Sequence, residues 1–128
     1  MKGIVITSDD EIYIEDFTSP LYESVGKVVG GYIEHVHPRR LPEPLCMLVN
    51  DDGLMHNLPL NMVGSIFYQA DWHGCAIVGN IVIMQDGYRD GEPDIVGLNE
   101  DTADGLVALW QKMFGLTMKN QDEKETDK

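Results

Sequence analysis

His35 and His37 stand two residues apart, a spacing that places both imidazoles on one face of an extended strand. Imidazole nitrogen is a ligand for zinc and related metals. Cys46 and the stretch Trp72-His73-Gly74-Cys75 hold the other donors that such a site would draw on. Neither Cys-x-x-Cys nor His-Glu-x-x-His occurs, however, and a structural zinc site usually carries such a pair. The pattern therefore favours packed or solvated histidines, with no metal and no cofactor. Nucleophilic chemistry fares no better. Gly64-Ser65 and Gly74-Cys75 supply a hydroxyl and a thiol, but neither sits in a Gly-x-Ser-x-Gly elbow. Gly30-Gly31 comes after a helical pattern and before a strand, the reverse of a phosphate-cradling loop. The chain reads as a non-enzyme.

Carboxylates are the more abundant resource. Asp51 and Asp52, with Glu34, offer oxygens to a hard cation, but no EF-hand spacing surrounds them, and a solvated turn accounts for the pair. Across the chain, 22 acids face 9 bases, for a net charge of -13. That balance repels phosphates and anionic lipid, so direct nucleic-acid binding and membrane association are not expected. Between residues 86 and 104, Asp86, Asp90, Glu92, Asp94, Glu100, Asp101 and Asp104 face the single base Arg89. Such a run is either an ordinary soluble face or a surface that imitates nucleic-acid charge and is steered into a basic groove on another protein. Tyr88, inside the run, has the character of an interface anchor.

The elements that must carry these residues follow from periodicity. Ile4 and Ile6, then Ile12 and Ile14, alternate around Ser8-Asp9-Asp10 and predict a hairpin. Thr18-Ser19-Pro20 predicts a helix start with a hydroxyl cap, Leu21, Val25, Val28 and Val29 its stripe, and Gly30-Gly31 its end. Residues 32–37 predict a strand, 38–44 a proline-rich connector, and 45–49 a buried strand. Asn50-Asp51-Asp52-Gly53 predicts a turn into a return strand over 54–56. Met62, Val63, Ile66 and Phe67 suit a short helix capped by Asn61, and residues 76–84 a central strand with Gly79 at a bulge or close approach. Residues 85–93 read as a polar loop. Asn99-Glu100-Asp101 opens a last helix, whose stripe is Ala103, Leu106, Val107, Trp110, Met113 and Phe114 and whose end is Gly115. The charged tail over 119–128 has no apolar residue and should be disordered.

Val29-Gly30-Gly31-Tyr32-Ile33-Glu34, Asn50-Asp51-Asp52-Gly53, Leu58-Pro59-Leu60-Asn61 and Ile77-Val78-Gly79-Asn80-Ile81-Val82-Ile83, in that order, resemble a family of small domains of unknown function carried mainly by bacteriophages and plasmids. The resemblance covers about residues 20–85 and leaves the C-terminal third, with its acidic run, outside. It implies a mobile-element accessory protein and carries over no catalytic residue.

Together these readings predict a single α+β domain over residues 1–118, in which two or three helices cover one face of a small, mostly antiparallel sheet. At 128 residues, folding hides about 68% of the surface of the extended chain, enough for one core. No apolar stretch reaches the length of a membrane span, and acids follow the N-terminus too closely for a signal peptide, so the cytoplasm of a bacterial host is the expected location. The function expected is binding and inhibition of a host defence or nucleic-acid-processing complex with a basic surface, through Asp86, Tyr88, Asp90, Glu92, Asp94, Glu100, Asp101 and Asp104. The alternatives are sequestration of a nucleotide signal by Asp51, Asp52, Asn61, Gly79 and Asn80, with a homo-oligomer interface as the pocket, and a minor metal-dependent enzyme.

Overall fold

A computed structural model describes residues 1–52, 57–70 and 74–119. Its strands are β1 (Lys2–Ile6), β2 (Glu11–Asp16), β3 (Ile33–Val36), β4 (Leu45–Asn50), β5 (Ile81–Arg89), β6 (Glu92–Val96) and β7 (Thr117–Met118). Its helices are α1 (Leu21–Val29), α2 (Met62–Phe67) and α3 (Glu100–Phe114). The strands form one sheet in the order β3-β4-β5-β1-β2-β7, with β6 paired to the far half of β5. Every pairing is antiparallel except that of β7 with β2. The mixed, mostly antiparallel expectation holds.

The helices do not share one face. β4 and the first four residues of β5 are buried throughout, so neither strand shows an apolar side and a polar side. A strand apolar on both sides needs cover on both sides. Ile4, Ile6, Met47, Val49, Ile81 and Ile83 pack with Val63 and Phe67 of α2 and with Ala103, Val107 and Trp110 of α3. The alternate residues Val5, Cys46, Leu48, Val82 and Met84 pack with Val25 and Val29 of α1. Each fully buried isoleucine of the first cluster contributes about 1.5–3 kcal/mol relative to exposure. Phe67 packs its ring 5.2 Å from Trp110 and 5.6 Å from Phe114, which ties α2 to α3.

Local details depart from expectation where composition and geometry disagree. Pro20 itself is the N-cap of α1 and makes no side-chain cap bond; Ser24 Oγ donates to the Thr18 carbonyl instead. In α2 the cap is as expected, Asn61 Oδ1 accepting from Gly64 N, but Met62 and Ile66 are exposed while Val63 and Phe67 enter the core. In α3, Asn99 caps as expected and Met113 points to solvent. β5 begins only at Ile81, because residues 74–80 loop past α2, and it continues through the segment read as a polar loop. Residues 81–96 form a hairpin in which Gln85 faces Val96 and Arg89 faces Glu92. Its turn is Asp90-Gly91, both at positive φ (53° and 81°), as a mirror-image two-residue turn requires. The return strand expected over 54–56 and the tail from 120 lie outside the described residues.

Candidate functional site

Three adjacent strands bring one cluster of chemically capable side chains together. His35 lies in β3 opposite Leu48, Cys46 in β4 opposite Met84, and Asp86 in β5 one residue beyond the last β4–β5 pair. Alternation puts all three on the α1 side of the sheet, at the end that α1 leaves open. His37 follows β3. The Nε2 atoms of His35 and His37 donate to the two oxygens of the Asp86 carboxylate, at 3.0 Å to Oδ1 and 2.6 Å to Oδ2. The imidazole rings are 4.5 Å apart. Behind them lies Cys46, fully buried, its Sγ within 4.8 Å of His35 nitrogen and Asp86 oxygen. Burial, reinforced by the Asp86 charge, pushes this thiol up to about 12. The cluster opens on a groove of ≈ 550 Å³ walled by Tyr88, Pro93, Asp94 and Ile95.

The other acids separate into two further groups. Beyond Gln85 the hairpin outruns β4, and its tip carries Tyr88, Asp90, Glu92 and Asp94 in solvent. Tyr88 is 76% exposed. The one base there, Arg89, pairs with Asp94 at 3.4 Å. β6 then leads away from the tip over about 17 Å to α3, at the usual rise per residue. There Glu100 and Asp101 occupy the first helical turn, where carboxylates stabilise the positive end of the helix dipole, and Asp104 lies one turn on. The eight residues expected to form one surface thus fall into a histidine-bound Asp86, a hairpin tip and a helix start.

Asn61, Asn80 and Gly79, three of the residues expected in a nucleotide pocket, hold the chain together. Asn61 is completely buried; its amide donates to the carbonyls of Ile6 (3.0 Å) and Gly79 (2.9 Å), and its oxygen takes Gly64 N–H (2.9 Å). Asn80 donates to Val28 O and accepts from Ser8 N. Gly79 sits at φ 80°, where any side chain is strained, and a Cβ there would also have to displace Leu58 Cδ1, 2.9 Å away. Asn50, which the sequence placed only in a turn, donates to Val29 O and takes Asp52 N–H, tying the end of α1 to β4. Asp51 and Asp52 border a separate cavity of ≈ 270 Å³ with Glu34, Tyr68 and Cys75. The four sequence blocks therefore converge, but as hydrogen-bonded scaffold around the end of α1.

Cys75 is exposed, away from Cys46, and both are free thiols; Trp72 and His73 lie outside the described residues. Ser65 Oγ is committed to the backbone of Ile77, as donor at 3.1 Å and acceptor at 2.9 Å. Among the described residues no helix is long and apolar enough to cross a membrane.

The model of the family described as Domain of unknown function (DUF3846) matches residues 1–115. The chain belongs to that family. The match runs from β1 through α3, so the acidic run lies inside the family domain rather than beyond it. No curated protein and no solved structure matches the chain.

Proposed function

We propose that this DUF3846 protein acts by binding rather than catalysis, docking the tip of its β5–β6 hairpin onto a positively charged protein surface. The observation that carries the reading is the exposure of Tyr88 on a strand pair that projects past β4, ringed by Asp90, Glu92 and Asp94 and offset by Arg89 alone. A large exposed aromatic supplies contact area at low entropic cost, and flanking carboxylates steer a basic partner toward it. Glu100 and Asp101 are left out, since the helix dipole accounts for them. With a net charge of -13, the long-range field favours a cationic protein over nucleic acid or an anionic membrane.

The resemblance to phage- and plasmid-borne domains extends this reading. The partner is then a host defence or nucleic-acid-processing complex in the bacterial cytoplasm, whose basic groove the hairpin occupies. Affinity capture with the wild type and with the variant Asp90→Asn/Glu92→Gln/Asp94→Asn tests it. The expected result is a partner with a basic patch, identified by mass spectrometry and retained by the wild type only. Equal retention by the variant would remove the hairpin from the account.

A further inference from the structure

We propose that His35, His37, Asp86 and Cys46 form a binding site for a divalent transition metal, zinc foremost, at the floor of the groove beside the hairpin. This inference is independent of the docking reading and concerns an activity that the docking surface does not require.

Two imidazole nitrogens, a carboxylate and a thiol are the ligand types that tetrahedral zinc takes. They come from β3, the residue following it, β4 and β5, so the sheet register, rather than a local motif, assembles them. Both Nε2 atoms aim at one carboxylate, at 3.0 and 2.6 Å, and the nitrogen of His35, the sulfur of Cys46 and an oxygen of Asp86 lie within 4.8 Å of one another. Ligand atoms around tetrahedral zinc are about 3.3–3.8 Å apart, so His35, Cys46 and Asp86 close on the ion with shifts of about an ångström, and His37, held at Asp86, swings in as the fourth ligand.

The setting supports an ion over a hydrogen-bond network alone. Ile95, Met84 and Leu48 make the rest of this sheet face apolar. A cation placed between the Cys46 sulfur and the Asp86 carboxylate would offset the negative charge that otherwise holds this sulfur as a thiol. The groove gives the ion an entrance, and the strongly negative chain attracts it. On binding, the Cys46 S–H bond breaks, its electron pair goes to the metal and its proton to solvent. Each imidazole, which carries its proton on Nε2 while it donates to Asp86, loses that proton to solvent and takes one up at Nδ1, so that the Nε2 lone pair faces the ion.

Titration of the purified, metal-free full chain with zinc alone, and separately with cobalt(II), tests the site. The expected result is one ion per chain. With cobalt, intense visible bands of a tetrahedral centre and a near-ultraviolet thiolate charge-transfer band should appear, the latter lost in Cys46→Ser. The variants His35→Gln and Asp86→Asn, at partly exposed positions, should keep the wild-type circular dichroism and weaken zinc binding at least about tenfold. Binding that is absent, or that persists unchanged in both exposed-site variants, would overturn the proposal.

Discussion

Asn61→Ala is the substitution whose cost the structure specifies most fully. The wild-type amide makes three hydrogen bonds of 2.9–3.0 Å with no exposed surface. Each is worth about 1 kcal/mol net, and removing the side chain also strands the carbonyls of Ile6 and Gly79 and the N–H of Gly64 in a dry interior. The sum is about 3–5 kcal/mol, which for a chain of this length lowers Tm by about 10–20 °C. Urea denaturation followed by tryptophan fluorescence, with calorimetry for Tm, measures it. Asn80→Ala removes two bonds in a partly buried place and should cost about 1–2 kcal/mol. If Asn61→Ala stayed within about 1 kcal/mol of the wild type, the assignment of this residue to scaffold rather than to a pocket would be refuted.

Other outcomes follow from particular groups. Without denaturant or metal, a thiol reagent should modify Cys75 rapidly and Cys46 only on unfolding, because Cys46 is buried and its thiol is pushed up to about 12; fast reaction of both would contradict the burial. Burial, aided by Glu15 and Glu11, raises Tyr13 from its ordinary value near 10 to about 12. A raised folded pKa contributes stability that is complete below the unfolded pKa and is lost as pH climbs from about 10 through about 12. The alkaline fall in stability should therefore shrink in Tyr13→Phe, as followed by denaturant titration across that window. Gly91→Val places a β-branched residue at φ 81° in the hairpin turn and should destabilise by about 1–3 kcal/mol in urea titration; no change would speak against the mirror-image turn.

How much of this was legible beforehand depended on whether the signal was local. The β1–β2 hairpin, α1, α3 and the caps at Asn61 and Asn99 are set by residues within a few positions of one another, and periodicity found them. Asp90-Gly91 was an equally local signal for the β5–β6 hairpin, but the surrounding Gly, Glu and Pro outweighed it as loop composition. The placement of helices on both faces was implicit in the unbroken apolar runs of β4 and β5, which have no polar side to leave in water. β7 is two residues paired to the far edge of the sheet and carries no pattern of its own.

The histidine cluster shows the limit most clearly. His35 and His37 on one strand face, with Cys46 as a further donor, could be read directly. Asp86, which draws both imidazoles together, lies 51 residues from His35, and only the β3-β4-β5 register makes them neighbours. For the same reason Asp86 was grouped with the acids that follow it in the chain rather than with the histidines it faces. Asn61 and Asn80 looked available because an asparagine's hydrogen-bond partners cannot be seen until the carbonyls around it are placed.

The central claim is that the hairpin tip is the docking element, and the salt dependence of affinity for the captured partner tests it most directly. Kd measured by titration across a range of ionic strength should weaken steeply for the wild type and much less for Asp90→Asn/Glu92→Gln/Asp94→Asn, since screening acts on charges the variant no longer has. Equal affinities and equal slopes for the two proteins would contradict it.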